Sequence, residues 1–268
     1  MSEAVASGGP GGRPAPGRLL LIPNALDLGA EAVPLDDVLP RGVIRCAAGL
    51  AHWVAEDARS ARAFLKRVDA LVPLAQALQA TAIVELPRPA KGGARANAAD
   101  PGPLHEALLA PLLAGHDMGL ISEAGLPGVA DPGALLVAAA HARGLTVQAL
   151  SGPSSITLAL AASGLNGQSF AFHGYLPSEF PARAARLREI ESISRQLQQT
   201  QVFIETPYRN MAMLSALLQS LQPKTRLAIA CGLTLPQGWS LCRTVAAWKG
   251  AAVEMPDRVP AVFSLLAG

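Results

Sequence analysis

Met118-Gly-Leu-Ile-Ser-Glu-Ala-Gly-Leu-Pro-Gly-Val-Ala-Asp-Pro-Gly-Ala-Leu-Leu-Val137 is the stretch on which the fold turns. Met118 to Ile121 is a short apolar run that reads as a buried strand, and Leu135 to Arg143 reads as a helix stopped by Gly144. Between them Ser122 to Gly133 is a connection of Gly and Pro breakers, long for a strand-to-helix link. Its glycines let backbone N–H and C=O groups approach a ligand closely. Asp131 stands where it is expected to cap the following helix, with Pro132 in the first turn. A structural turn is the competing reading of such a loop. Its glycine spacing fits neither a P-loop, which needs Gly-Lys-Ser/Thr, nor a dinucleotide fingerprint.

Working outward, the same alternation repeats. Leu104 to Leu113 reads as a helix, Leu145 to Leu150 as a strand and Pro153 to Ala162 as a helix. Upstream, Arg18 to Ile22 is a strand ended by Pro23-Asn24, and His52 to Ala55 is an apolar stretch ending in Glu56-Asp57. Arg59 to Arg67 is an amphipathic helix, with Ala61, Phe64 and Leu65 on one side and Arg59, Arg62 and Lys66 on the other. Thr81 to Glu85 is a strand, and 87–102 an aperiodic Pro/Gly/Ala segment read as a mobile loop. Alternating strands and helices of these lengths predict a mainly parallel α/β domain over 18–152. The second half differs. Strands are expected at Phe170–His173, Val202–Glu205 and Arg226–Cys231 and near 239–247 and 260–267. Helices are expected at Ala182–Leu197 and Tyr208–Leu221. Leu235-Pro-Gln-Gly238 reads as a hairpin turn, so 153–268 is expected to be a mixed-sheet α+β domain, with the seam near 151–168. Residues 1–17 read as a disordered tail without a secretory leader.

Half of the residues are apolar and 16% are charged, enough apolar mass for a real core. The net charge is only +2, light for a protein that binds nucleic acid by charge alone. Cys46, Cys231 and Cys242 show no paired spacing, and the histidines show none of a metal site, so no metal is expected and a reducing cytoplasm fits best. No apolar run is long enough to span a membrane.

Six segments, in order, carry a family resemblance. Ser122–Gly133 resembles S-[DE]-A-G-x-P-x-x-[AS]-D-P-G of the rRNA small-subunit methyltransferase I branch of the tetrapyrrole methylases. Ala55-Glu-Asp-Ala-Arg-Ser-Ala-Arg62 resembles A-E-D-T-R-x-T-R, and Leu150-Ser-Gly-Pro-Ser-Ser155 resembles L-P-G-P-S-A. Phe172-His-Gly-Tyr-Leu-Pro177 resembles F-x-G-F-L-P, and Phe203-Ile-Glu-Thr-Pro-Tyr-Arg209 resembles F-Y-E-S-P-H-R. Ala230-Cys-Gly-Leu-Thr234 resembles A-R-E-L-T. The chain departs from the pattern at Ile22-Pro-Asn-Ala-Leu26, where the family has T-P-I-G-N-L, and at Cys231-Gly232, where it has Arg-Glu. The family's His-Asn pair is missing around 86–100.

The resemblance implies a two-domain tetrapyrrole-methylase fold with S-adenosylmethionine held in a cleft between the domains. It implies a homodimer acting on ribosomal RNA or the small ribosomal subunit. Carried over by motif, the cofactor contacts are Pro23, Glu123, Ala124, Gly125, Val129, Ser154, Ser155, Glu205 and Leu233. Ser154 and Ser155 precede a helix, where serine either caps or bonds a ligand, and Glu205 at a strand end either bonds a cofactor amine or hydroxyl or is an exposed or salt-bridged glutamate. The acceptor side falls to Glu56, Asp57, Arg59, Arg62 and Tyr175. Asp57 is the candidate general base for a sugar hydroxyl, or else the cap of the helix after it. Arg59 and Arg62 hold phosphate or form a solvated face. Arg183, Arg186 and Arg188 add basic character, and His173 either lines the cleft or is simply hydrogen-bonded. Three functions follow: rRNA 2′-O-methylation, methylation of a small molecule such as a tetrapyrrole, and cofactor binding without catalysis.

Overall fold

The computed structural model describes residues 15–27, 33–87 and 102–268. The tail expected over 1–17 and the loop expected over 87–102 fall largely outside these residues. The chain forms two compact units. The first comprises the residues up to Asn24 and Leu39–Gly152; the second comprises Ala25–Val38 and Pro153–Gly268.

The elements of the first unit are β1 (Leu19–Leu21), followed after α1 (Leu35–Val38, in the second unit) by α2 (Arg41–Ala48), β2 (His52–Ala55), α3 (Ala58–Asp69) and β3 (Ala82–Glu85). They continue with α4 (Gly102–Ala107), α5 (Ala110–Leu113), β4 (Met118–Ile121), α6 (Ala134–Ala142) and β5 (Val147–Ala149). The five strands pair in the order β3-β2-β4-β1-β5, all parallel. A sheet covered on both faces needs apolar side chains on both, and the short runs supply them by alternation. Val54 and Leu120 pack with Leu109, Leu112, Leu136, Ala139 and Ala140. Trp53 meets Phe64 of α3 edge-on, with ring centroids 6.2 Å apart. Gly119 leaves room for that indole: a Cβ there would lie 2.7 Å from the Trp53 ring.

The expectation of one helix over Leu104–Leu113 is corrected to two pieces. Pro111 has no N–H to bond the preceding turn, and its ring clashes with it, so α4 ends at Ala107 and α5 restarts beside the proline. Asp131 does not cap α6; Gly133 holds the N-cap position and no side chain bonds into it. Gly144 closes α6 in the left-handed conformation, φ 65°, as its position predicted. The 33–50 stretch, given no structure from sequence, holds α1 and α2.

The second unit contains α7 (Ser155–Ser163), β6 (Phe170–Tyr175), α8 (Phe180–Leu197), β7 (Thr200–Glu205), α9 (Asn210–Ser220), β8 (Arg226–Cys231), β9 (Trp239–Thr244), α10 (Val245–Trp248) and β10 (Ala261–Leu266). Its sheet order is β6-β7-β10-β8-β9. Only the β6–β7 pair is parallel; the others are antiparallel, and β8 and β9 form the hairpin read from Leu235–Gly238. Alternation again divides the faces. Val202, Ala230 and Val262 meet Ile156, Ala159 and Leu160 of α7. Phe203 and Phe263 stack at 5.8 Å within the opposite cluster, which includes Leu187, Ile190, Met213 and Leu217. The strand expected to run to 247 stops at Thr244, whose hydroxyl accepts from Ala247 N and starts α10. Arg183 is buried and donates to Ser178 O at 3.3 Å, so it adds no basic surface.

Candidate functional site

Strands β1, β2 and β4 are parallel neighbours, so their C-terminal ends open on one edge of the first sheet. The chain leaves β1 toward β2 and leaves β4 toward β5, on opposite sides, so the strand order reverses between β1 and β4. Open α/β sheets bind ligands at such a reversal, beyond the carboxyl ends of the strands. Pro23-Asn24 and Ser122–Gly133 emerge there.

The two segments are tied together. Asn24 and Gly125 form an isolated antiparallel bridge, with Asn24 N donating to Gly125 O at 2.9 Å and Gly125 N to Asn24 O at 3.1 Å. The Asn24 side-chain amide donates to Ser122 O at 3.3 Å and Glu123 O at 2.9 Å. Gly125 holds φ 69°, the left-handed conformation that glycine alone adopts at little cost. Pro23 is buried against Gly152 so closely that a Cβ there would fall 2.2 Å from the proline Cβ. The glycine of Leu150–Ser155 is therefore a packing requirement of the first loop.

From β2, Glu56 reaches the same place: its Oε2 accepts from Glu123 N at 3.1 Å. Asp57 takes the capping alternative, with Oδ1 accepting from Ser60 N at 2.7 Å and Ser60 Oγ at 3.0 Å. These bonds hold the Asp57 carboxyl below its ordinary range. Burial pushes Glu56 up. Asp131 is pushed to about 7, by burial first and then by the charges of Glu56 and Glu123. Val129 is exposed farther along the loop, as are Arg59 and Arg62 on α3. The Ser122 hydroxyl is buried without a hydrogen-bond partner.

In the second unit, Ser154 takes the N-cap position of α7 but its side chain makes no capping bond, and Ser155 is the first helical residue. Leu233 packs against the α7 cluster. Gly232 before it is left-handed, φ 63°, with Val259 at 3.0 Å from where a Cβ would stand, a position that the family's glutamate would strain. Glu205 ends β7 with its carboxylate buried, and it takes its salt-bridged alternative, paired with Arg209. Its Oε1 accepts from Thr206 N at 2.7 Å and from Arg209 Nε and Nη2 at 3.0 and 2.7 Å. Its Oε2 has no partner. His173 takes its hydrogen-bonded alternative, between Gln201 Oε1 at 2.6 Å and Arg186 at 3.1 Å.

The first unit thus gathers Pro23, Glu56, Asp57, Glu123, Ala124 and Gly125 at one sheet edge. Sequence reasoning missed Asn24, because asparagine after proline reads only as a turn, and missed Asp131 as a near-neutral acid. A cavity of about 320 Å³ lined by Arg18, Arg45, Cys46, His52, His116 and Asp117 lies at the opposite edge and holds none of the expected residues. Among the described residues, no group of His, Cys, Asp and Glu could hold a metal, and no helix is long and apolar enough to cross a membrane.

The sequence model of the tetrapyrrole (corrin/porphyrin) methylases matches residues 58–241, more than half of the chain. A ribosomal RNA small subunit methyltransferase I of Vibrio cholerae is 38% identical over 129 residues, 48% of this chain and 43% of that protein. The protein of the same name from Mycobacterium tuberculosis is 39% identical over 128 residues, 48% and 44% of the two chains. The matches span less than half of these relatives' length. The crystal structure of the methyltransferase CobJ superposes with a TM-score of 0.50 at 16% identity, covering 94% of this chain and 98% of its own. The native uroporphyrin III C-methyltransferase of Thermus thermophilus gives 0.50 at 16% identity, covering 93% and 97%. At that identity the two superpositions show the fold.

Proposed function

The chain belongs to the tetrapyrrole (corrin/porphyrin) methylases, and from that premise we propose that it transfers the methyl group of S-adenosylmethionine to a 2′-hydroxyl of ribosomal RNA. The observation that carries this reading is the Ser122–Gly133 loop, pinned by Asn24 at the reversal of strand order, in a chain whose named relatives are rRNA methyltransferases. The first unit's loop fits a ligand that brings polar groups: Ser122 Oγ is buried without a partner, and buried polar atoms generally have one.

When bound, S-adenosylmethionine supplies a methyl group on a positively charged sulfur. Positioning the acceptor oxygen in line with that methyl is most of what a protein must add. Pro23, Glu123, Ala124, Gly125 and Val129 are the proposed cofactor contacts of the first unit. Ser154, Ser155, Glu205 and Leu233 carry over from motif alone. A 2′-hydroxyl must lose its proton as the O–C bond forms. Asp131, on the same loop and pushed up to about 7 by burial and by Glu56 and Glu123, is matched to that task at neutral pH, whereas Asp57 has one oxygen committed to Ser60. Glu56, Arg59, Arg62 and Tyr175 remain the proposed acceptor contacts. The protein is further proposed to act in the cytoplasm as a homodimer; sedimentation as a monomer would remove the second point.

The test is transfer of labelled methyl from S-adenosylmethionine to small ribosomal subunits, bulk RNA and a small-molecule extract. Label on a 2′-oxygen of the subunit RNA is expected. Label confined to the extract rejects the RNA assignment in favour of a small acceptor such as a tetrapyrrole. Binding of S-adenosylhomocysteine without label in any fraction leaves a cofactor-binding protein.

A further inference from the structure

The chain has two tyrosines, and both stand at the same end of the second sheet. Tyr175 ends β6 and is in register with Ile204 of β7; Glu205 is the next residue, and Tyr208 follows in the turn after it. Tyr175 is 57% and Tyr208 68% exposed, unusual for rings that a fold would otherwise bury. The Arg209 guanidinium lies 5.6 Å from the Tyr208 ring centroid and is fixed by two bonds to Glu205 Oε1. The Glu205 carboxylate is itself buried, so the guanidinium is anchored from below rather than free to swing.

Exposed aromatic faces next to a held guanidinium make a stacking platform for unpaired bases. We infer that Tyr208 and Tyr175 stack an unpaired base of the acceptor RNA at this end of the second sheet. The inference rests on the RNA reading above and sharpens it to single-stranded RNA.

The full chain is titrated with single-stranded RNA oligonucleotides of mixed sequence, of cytidine alone and of uridine alone, and separately with S-adenosylhomocysteine. Tyr208 is exposed, so Tyr208→Ala leaves the fold intact, as thermal melting checks. Tyr208→Ala is expected to weaken binding of the mixed and cytidine RNAs about tenfold. Tyr208→Phe is expected to retain that binding, and S-adenosylhomocysteine affinity to stay unchanged in both variants. Binding of the uridine oligonucleotide is expected to be weakened by Tyr208→Ala in the same way, since stacking needs only the flat face of a base. Loss of S-adenosylhomocysteine affinity with RNA binding intact overturns the inference by giving the tyrosines to the cofactor. RNA affinity unmoved by Tyr208→Ala, or no RNA binding at all, overturns it as well. The methyltransferase reading falls separately, if the unmodified chain binds no S-adenosylhomocysteine and labels no fraction.

Discussion

Replacing Asp131 with asparagine keeps the shape of the side chain and removes its charge. The carboxyl is raised from 3.8 to about 7 by burial and by Glu56 and Glu123. Three pKa units correspond to about 4 kcal/mol at about 1.36 kcal/mol each. Asp131 is only partly buried, and solvent screening reduces the figure to about 2 kcal/mol. The sign follows from linkage. The folded state holds this proton more tightly than the unfolded chain, so the group's stabilising contribution is complete below about 3.8. It declines as pH rises and is gone above about 7. Asp131→Asn is therefore expected to unfold at the same urea concentration as the unmodified chain near pH 4. By pH 8 it should gain about 2 kcal/mol of relative stability. The same variant is expected to lose most methyl transfer at neutral pH while still binding S-adenosylhomocysteine. A stability difference that is flat with pH, or larger in acid, refutes the electrostatic reasoning; full turnover refutes the role as proton acceptor.

Substitutions at neighbouring residues have their own expected outcomes. Asn24→Ala removes two bonds to the Ser122 and Glu123 carbonyls. It should cost about 1–3 kcal/mol, with faster amide exchange at Gly125 and weaker S-adenosylhomocysteine binding by calorimetry. Gly152→Ala places a methyl 2.2 Å from the Pro23 Cβ; the expected loss is about 1–3 kcal/mol, read from a denaturant melt. Asp57→Ala should lose about 1 kcal/mol of helix-cap stability. Asp57→Asn should restore it without harming turnover; a large fall in turnover for that conservative change would make Asp57 the proton acceptor after all.

The legible parts of the fold were those where local chemistry and burial agree. The Met118–Ile121 run, its breaker-rich loop and the helix ended by Gly144 could be read from spacing, as could the buried stripe Ala61, Phe64 and Leu65 of α3. The hairpin at Leu235–Gly238 was equally plain. Helix α2 was not, because Pro34, Pro40 and Gly42 mask the short buried set Val43, Ile44, Ala47 and Ala48. At the site, motif order pointed to the loop and to Glu56-Asp57, but sequence carries no record of which strands become neighbours. The pairing of β1 with β4 sets Asn24 against Gly125, and that of β2 with β4 brings Glu56 to Glu123, the two charges that add to burial in raising Asp131. Neither consequence is visible until those strands are side by side.

The placement of β1 also governs how the protein is made. Its partners are strands that begin at Met118 and Val147, so the three leucines of Leu19–Leu21 emerge during synthesis long before anything can cover them. Contacts so distant along the chain close slowly, and apolar strand edges left waiting are prone to clump with other chains. A product halted ahead of Met118 would lack both neighbours of its first strand and should collect as insoluble material, whereas one that reaches past Ala149 has every strand its first sheet requires.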